Sequence, residues 1–130
     1  MAAEARSVRR WVAGIVFVAV AVRVLRALGV LPLSRYVVEG SSMEPAYHTG
    51  DHVIVNRWAY RTREPRAGDV VVLYDPDRDG HVLLKRVADD PGGLRRGVYV
   101  LGDNVAESRD SRTFGTVPGN AVIGRAWFRY

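Results

Sequence analysis

Cysteine is absent from this chain, and lysine occurs once, at Lys85, beside eighteen arginines. The first absence excludes disulfides, thiolate zinc sites and cysteine nucleophiles. No apolar run reaches the roughly 20 residues that spanning a hydrocarbon core requires; the longest, Trp11–Val22, has twelve. Nor is positive charge gathered into a block. The net charge is +5, yet most arginines alternate with Asp and Glu. No recognition helix, zinc finger or aromatic–basic ribonucleoprotein motif is present, so nucleic acid is not an expected partner. At 130 residues the chain has room for one domain and an anchor.

The lone lysine carries chemical information. Arginine stays protonated at any ordinary pH, whereas a buried lysine can lose its proton and act as a base. Lys85 follows the apolar Val82-Leu83-Leu84, which suits a desolvated amine. On an extended strand, alternation places His81, Leu83 and Lys85 on one face and Arg86 on the other.

The N-terminal apolar run is bracketed by Arg6, Arg9 and Arg10 before it and by Arg23 and Arg26 after it. If those arginines snorkel to the interfaces, a span of about Val8–Leu25 becomes long enough for one transmembrane helix. The basic flank then predicts a cytoplasmic N-terminus and an extracytoplasmic remainder. The division predicted is 1–33 for the N-terminus and anchor and 34–130 for the catalytic domain.

Beyond the anchor, short strand-like runs recur between turn residues. They are Tyr36–Glu39, His52–Arg57, Val70–Tyr74, His81–Val87, Gly97–Leu101 and Ala121–Phe128. Pro and Gly clusters separate them. The pattern predicts a mainly β domain, a small barrel or folded sheet.

Three segments could carry chemistry. In Gly40-Ser41-Ser42-Met43-Glu44-Pro45 a serine follows a strand in a turn ended by proline. Its hydroxyl needs a base to become a nucleophile. The G-x-S-x-G elbow is broken by Glu44, and His48, His52 and His81 lie in no recognisable triad context. A neutral lysine is the other base that serves a serine, which makes Lys85 the candidate. The third segment, Gly102 to Pro118, is dense in Asp, Asn, Ser and Arg and suggests an internally hydrogen-bonded platform. Metal sites are not expected. Asp75–Gly80 mimics the opening of a calcium loop, but Arg86 stands where the bidentate Glu belongs, and His48 and His52 have no third ligand.

Taken in order, these segments resemble the type I signal peptidase family, the membrane-anchored serine peptidases that remove signal peptides from exported proteins. Ser42-Met43-x-Pro45 and Gly68-Asp69-Val70-Val71 are weak signals. Gly102-Asp103-Asn104, Ser108-x-Asp110-Ser111-Arg112 and Gly115-x-Val117-Pro118 together are specific, with Lys85-Arg86-Val87 between them. The resemblance covers Val37 to about Val122. It implies Ser42 as nucleophile, Lys85 as general base and Ser108 as the residue that orients the lysine. Asp110 and Arg112 would form a supporting ion pair, with Asp103 and Asn104 as further platform residues. The Ser42 N–H would contribute to the oxyanion hole, while Gly40 stands where some relatives place a second, serine donor. Tyr36, Val37, Val38 and Met43, with Val82, Leu83 and Leu84, would flank an extended substrate and accept small side chains. The anchor would hold the site near the bilayer, where cleavage sites emerge.

The resemblance implies no cofactor; the partners implied are signal-peptide-bearing preproteins and membrane lipid. Two alternatives remain open. One is a dedicated maturation peptidase for a single precursor, of the nickel superoxide dismutase type. The other is a non-catalytic, membrane-anchored peptide-binding module.

Overall fold

The structure is a computed structural model that describes residues 2–28, 30–93 and 96–130. It divides into two compact units, Met1–Pro32 and Leu33–Tyr130.

The first unit is a single helix, α1 (Ala2–Ala27). Its apolar side chains are exposed, Trp11 and Phe17 at 74% and 75%. Among the described residues, however, no helix is long and apolar enough to cross a membrane. The expected transmembrane helix and single-pass topology are therefore not supported. The reason lies in the charges: the twelve uncharged residues between Arg10 and Arg23 cover only about 18 Å at 1.5 Å per residue, against a core of about 30 Å. The side chains of Arg6 and Arg9, on which the expected orientation depends, lie outside the described residues.

The second unit is built on one sheet of β1 (Leu33–Val37), β2 (His52–Asn56), β3 (Val70–Tyr74), β4 (Val82–Ala88), β5 (Tyr99–Leu101) and β6 (Val122–Arg129). The order is β1-β2-β6-β3-β4-β5, with every pairing antiparallel. Closing a barrel would require the terminal strands of this order to meet. The sheet among the described residues is open instead, which corrects the barrel alternative. β1 begins at Leu33, ahead of the expected Tyr36, and β3 matches its expected limits.

Why β3 lies at the centre can be read from its residues. Val70-Val71-Val72-Leu73 is β-branched or apolar at every position, and all four side chains are buried. A strand covered on both faces has no need of alternation. One face joins Val71 and Leu73 to Val87, Val98, Val100 and Val117. The other joins Val72 to Val38, Val53 and Val55. The segment from Gly102 to Pro118 is not wholly loop. It contains a 3₁₀ turn, Val105–Glu107, and one turn of helix, α2 (Ser111–Phe114).

Leu73 is fully buried at the middle of this sheet. Leu73→Ala is expected to cost about 2–5 kcal/mol. Urea unfolding of the 33–130 unit should show a lower midpoint with an unchanged slope.

Candidate active site

Lys85 occupies the inner face of β4. In register it stands opposite Val71 of β3, and alternation puts it on the face of Leu83 and Val87, both packed in the first apolar cluster. Its exposure is 3%. From there the amine reaches Ser42: Lys85 Nζ and Ser42 Oγ are 2.7 Å apart, a hydrogen bond between residues 43 positions distant in sequence. Burial is the main influence on the amine and pulls its pKa below the ordinary lysine value. Asp110 and Asp75 work the other way by favouring the ammonium, while Arg109 and Arg112 disfavour it.

The Ser42 turn is tied down from both sides. Gly40 has a positive φ of 82°, a conformation that glycine adopts without strain. Its carbonyl accepts from Thr49 Oγ1 at 3.0 Å. Asn104 holds the next two residues: its side-chain Nδ2 donates to Ser41 O (3.1 Å) and its backbone N–H to Ser42 O (2.9 Å). Asp103 acts at another point, accepting a two-pronged contact from Arg86 with both distances 2.8 Å. Arg86 points away from Lys85, as alternation requires.

The platform is organised by Asp110, whose side chain is fully buried. Its carboxylate accepts from Ser108 Oγ (2.7 Å), Gly102 N (2.9 Å), and Arg112 N, Nε and Nη2 (3.2, 2.9 and 2.8 Å). Burial alone would raise its pKa, but these bonds outweigh it and hold the carboxyl well below the usual carboxylate range. Ser108 donates to Asp110, so its hydroxyl meets the carboxylate that acts on Lys85. Gly102 explains how the pieces close. A Cβ there would fall 2.1 Å from Ser108 Oγ and 2.6 Å from Ser42 O, so only glycine lets the platform approach the Ser42 turn. The motif around Gly102 does not reveal this role, because the contribution of Gly102 is an absent side chain.

Beside Ser42 and Lys85 runs a cleft of about 300 Å³. Tyr36, Val37, Val38, Met43, Val82, Leu83 and Leu84 all line it. One side has unpaired strand edge: among the described residues β5 pairs with Arg86–Ala88, leaving the Val82–Lys85 half of β4 without a described strand neighbour there. His81 lines the same cleft, whereas His52 stacks on Tyr130 with ring centres 5.3 Å apart. Among the described residues no cluster of His, Asp or Glu could hold a metal ion. The Asp75–Gly80 segment is the turn between β3 and β4.

A hydroxyl, a buried amine and a cleft beside an open strand edge are the components of a serine-type peptidase. Comparison with known proteins places the chain more closely. It belongs to the family described as "Signal peptidase, peptidase S26", whose model matches residues 8–93 and 95–130. It is 30% identical to "Signal peptidase I" of Bacillus caldolyticus, over 85% of this chain and 86% of that protein. Identity to "Signal peptidase I V" of Bacillus subtilis (strain 168) is 36%, covering 76% of this chain and 58% of the relative. The "Mitochondrial ATP-independent inner membrane protease subunit 1b" of Arabidopsis thaliana is 31% identical, over 69% and 65% respectively.

Asp110→Asn sets an amide NH2 against donors from which the buried carboxylate accepts, and is expected to cost about 1–3 kcal/mol near neutral pH, read from urea unfolding. The sign with pH follows from the lowered pKa of Asp110. Its contribution is present above the unfolded carboxyl value of about 4 and is lost as pH falls toward the folded one. The wild type should therefore lose more stability on acidification than the variant.

Proposed function

We propose that the chain removes signal peptides from exported proteins by a Ser42–Lys85 dyad. The observation that carries this reading is the 2.7 Å approach of Lys85 Nζ to Ser42 Oγ. Family membership supports the reaction class, and burial of the amine supports its role as base. In its neutral form Lys85 accepts the Ser42 proton as Oγ attacks the scissile carbonyl. The tetrahedral intermediate collapses as the protonated lysine gives its proton to the leaving amine, which forms an acyl-enzyme. The same amine then activates a water molecule that releases the acyl group and restores Ser42.

The substrate lies extended along the Val82–Leu84 edge and adds main-chain hydrogen bonds to it. Small side chains before the scissile bond enter the cleft lined by Met43 and the valines. The Ser42 N–H faces the developing oxyanion. Asn104 serves by holding the turn, and Asp110, Arg112, Ser108 and Asp103 by fixing the platform around the dyad. In this reading α1 associates with lipid through its exposed apolar side chains, without crossing the bilayer by itself.

The test is cleavage of an exported precursor in detergent micelles by wild type, Ser42→Ala and Lys85→Arg. Wild type should cut after a small residue, and Ser42→Ala should fall to background. Lys85→Arg keeps the charge but removes the base, and should lose about 10²–10⁴-fold in rate. Undiminished cutting by Lys85→Arg would remove the amine from the mechanism. Because the base must be neutral, wild-type kcat/KM should rise with pH through the lowered lysine pKa and then level off. A profile rising only near the pKa of free lysine would contradict the assignment.

A further inference from the structure

Arg109 lies between Ser108 and Asp110, yet its side chain engages neither of them. Its guanidinium reaches the β3–β4 hairpin instead. Nη2 donates to Asp75, and Nη1 to Asp77 at 2.7 Å, while the guanidinium carbon lies 5.5 Å from the centre of the Phe114 ring. The two carboxylates differ sharply in setting. The Asp75 side chain is 2% exposed and that of Asp77 57%. Asp75 also accepts the Asp77 N–H at 2.9 Å and hydrogen-bonds through its own N–H to His81 O. It thus anchors the turn that leads directly into β4 and Lys85.

We propose that Arg109 is a positioning residue for Lys85, clamping the β3–β4 hairpin to the platform and occupying the buried Asp75 carboxylate. Without that clamp, Asp75 is an uncompensated anion free to act as counter-ion to the lysine. The inference rests on the reading of Lys85 as the base but concerns a residue outside the dyad. The charged groups acting on Lys85 form two pairs, Asp110 with Arg112 on the platform and Asp75 with Arg109 across to the hairpin. In the first, the carboxylate that favours the ammonium outweighs its arginine. In the second, the arginine outweighs its carboxylate. Glu39 and His81 line the wider cleft. Arg109 is therefore the stronger of the two cationic influences that favour the neutral amine, acting beside the larger effect of burial.

The composition supplies a direct probe, because Lys85 is the sole lysine. Carbon-13 lysine labelling of the full chain in detergent gives one side-chain signal whose pH titration reports this amine alone. The titration is run beside kcat/KM profiles for wild type, Arg109→Met, Asp75→Asn and the double variant. In Arg109→Met the lysine midpoint and the acid limb of kcat/KM should both move up by roughly one pH unit. Activity at neutral pH should fall about tenfold and recover in alkali. Asp75→Asn should move both downward, and the double variant should return close to wild type. An Arg109→Met midpoint that stays in place, with activity lowered equally at every pH, would overturn the proposal. If Arg109→Met does not fold, Asp75→Asn decides: a downward midpoint supports the proposal and an unmoved one overturns it. A moved midpoint with an unmoved activity limb would keep Arg109 in its role and instead remove Lys85 as the base.

Discussion

The arrangement around Ser42 depends on one buried anion. Asp110 has no exposed surface, and an ionised carboxylate in that position is tolerable only if its lone pairs are filled. Five donors fill them: the Ser108 hydroxyl, the Gly102 N–H and three N–H groups of Arg112. In doing so they determine the path of the chain from Gly102 to Arg112. Gly102 is drawn against the Ser42 turn, Ser108 is fixed beside it, and α2 is capped at its N-terminus by Asp110 itself. Among the described residues no buried side-chain nitrogen or oxygen is left without a partner. A platform so fully satisfied can hold fixed geometry in a small domain.

For the proposed role of Lys85 as base, the same carboxylate works in the wrong direction. A negative charge near a buried amine stabilises the ammonium, the form that cannot accept a proton. Burial among Val71, Leu83 and Val87 acts in the opposite sense and is the stronger influence. Arg112 and Arg109 then offset the nearby carboxylates. Arginine suits this task because it remains charged and grips carboxylates through two donors. The strong preference of this chain for arginine thus surrounds a single titratable amine with cations that do not titrate. A second lysine in their place would add another group able to exchange protons.

Much of this is legible in the amino-acid sequence. Strand positions follow from alternation and turn residues, and β3 follows from its unbroken valines. The pairing of Asp110 with Arg112 and the placement of Tyr36 to Val38 and Val82 to Leu84 beside Ser42 are implied by the family resemblance. Other features are hidden for physical reasons. Sheet closure depends on which strand edges meet, which no local pattern encodes. α2 is one turn long, too short for helical periodicity to register. Gly102 acts through the side chain it lacks, and Arg109 through a contact with Asp75, 34 residues away. The N-terminal segment shows the opposite error. Its composition suggests a membrane span, but Arg10, Arg23 and Arg26 leave too short an uncharged stretch between them.

The central claim is that a neutral Lys85 makes the Ser42 hydroxyl a nucleophile. Its most direct test is to trap the covalent intermediate with an activated peptide ester ending in alanine. The reaction is quenched in acid, and the adduct is located by mass spectrometry. The account expects one acyl group on Ser42, accumulating faster as pH rises and absent from Lys85→Arg over the same interval. Acylation at another residue, or equal labelling of Ser42 when Lys85 is arginine, would contradict it.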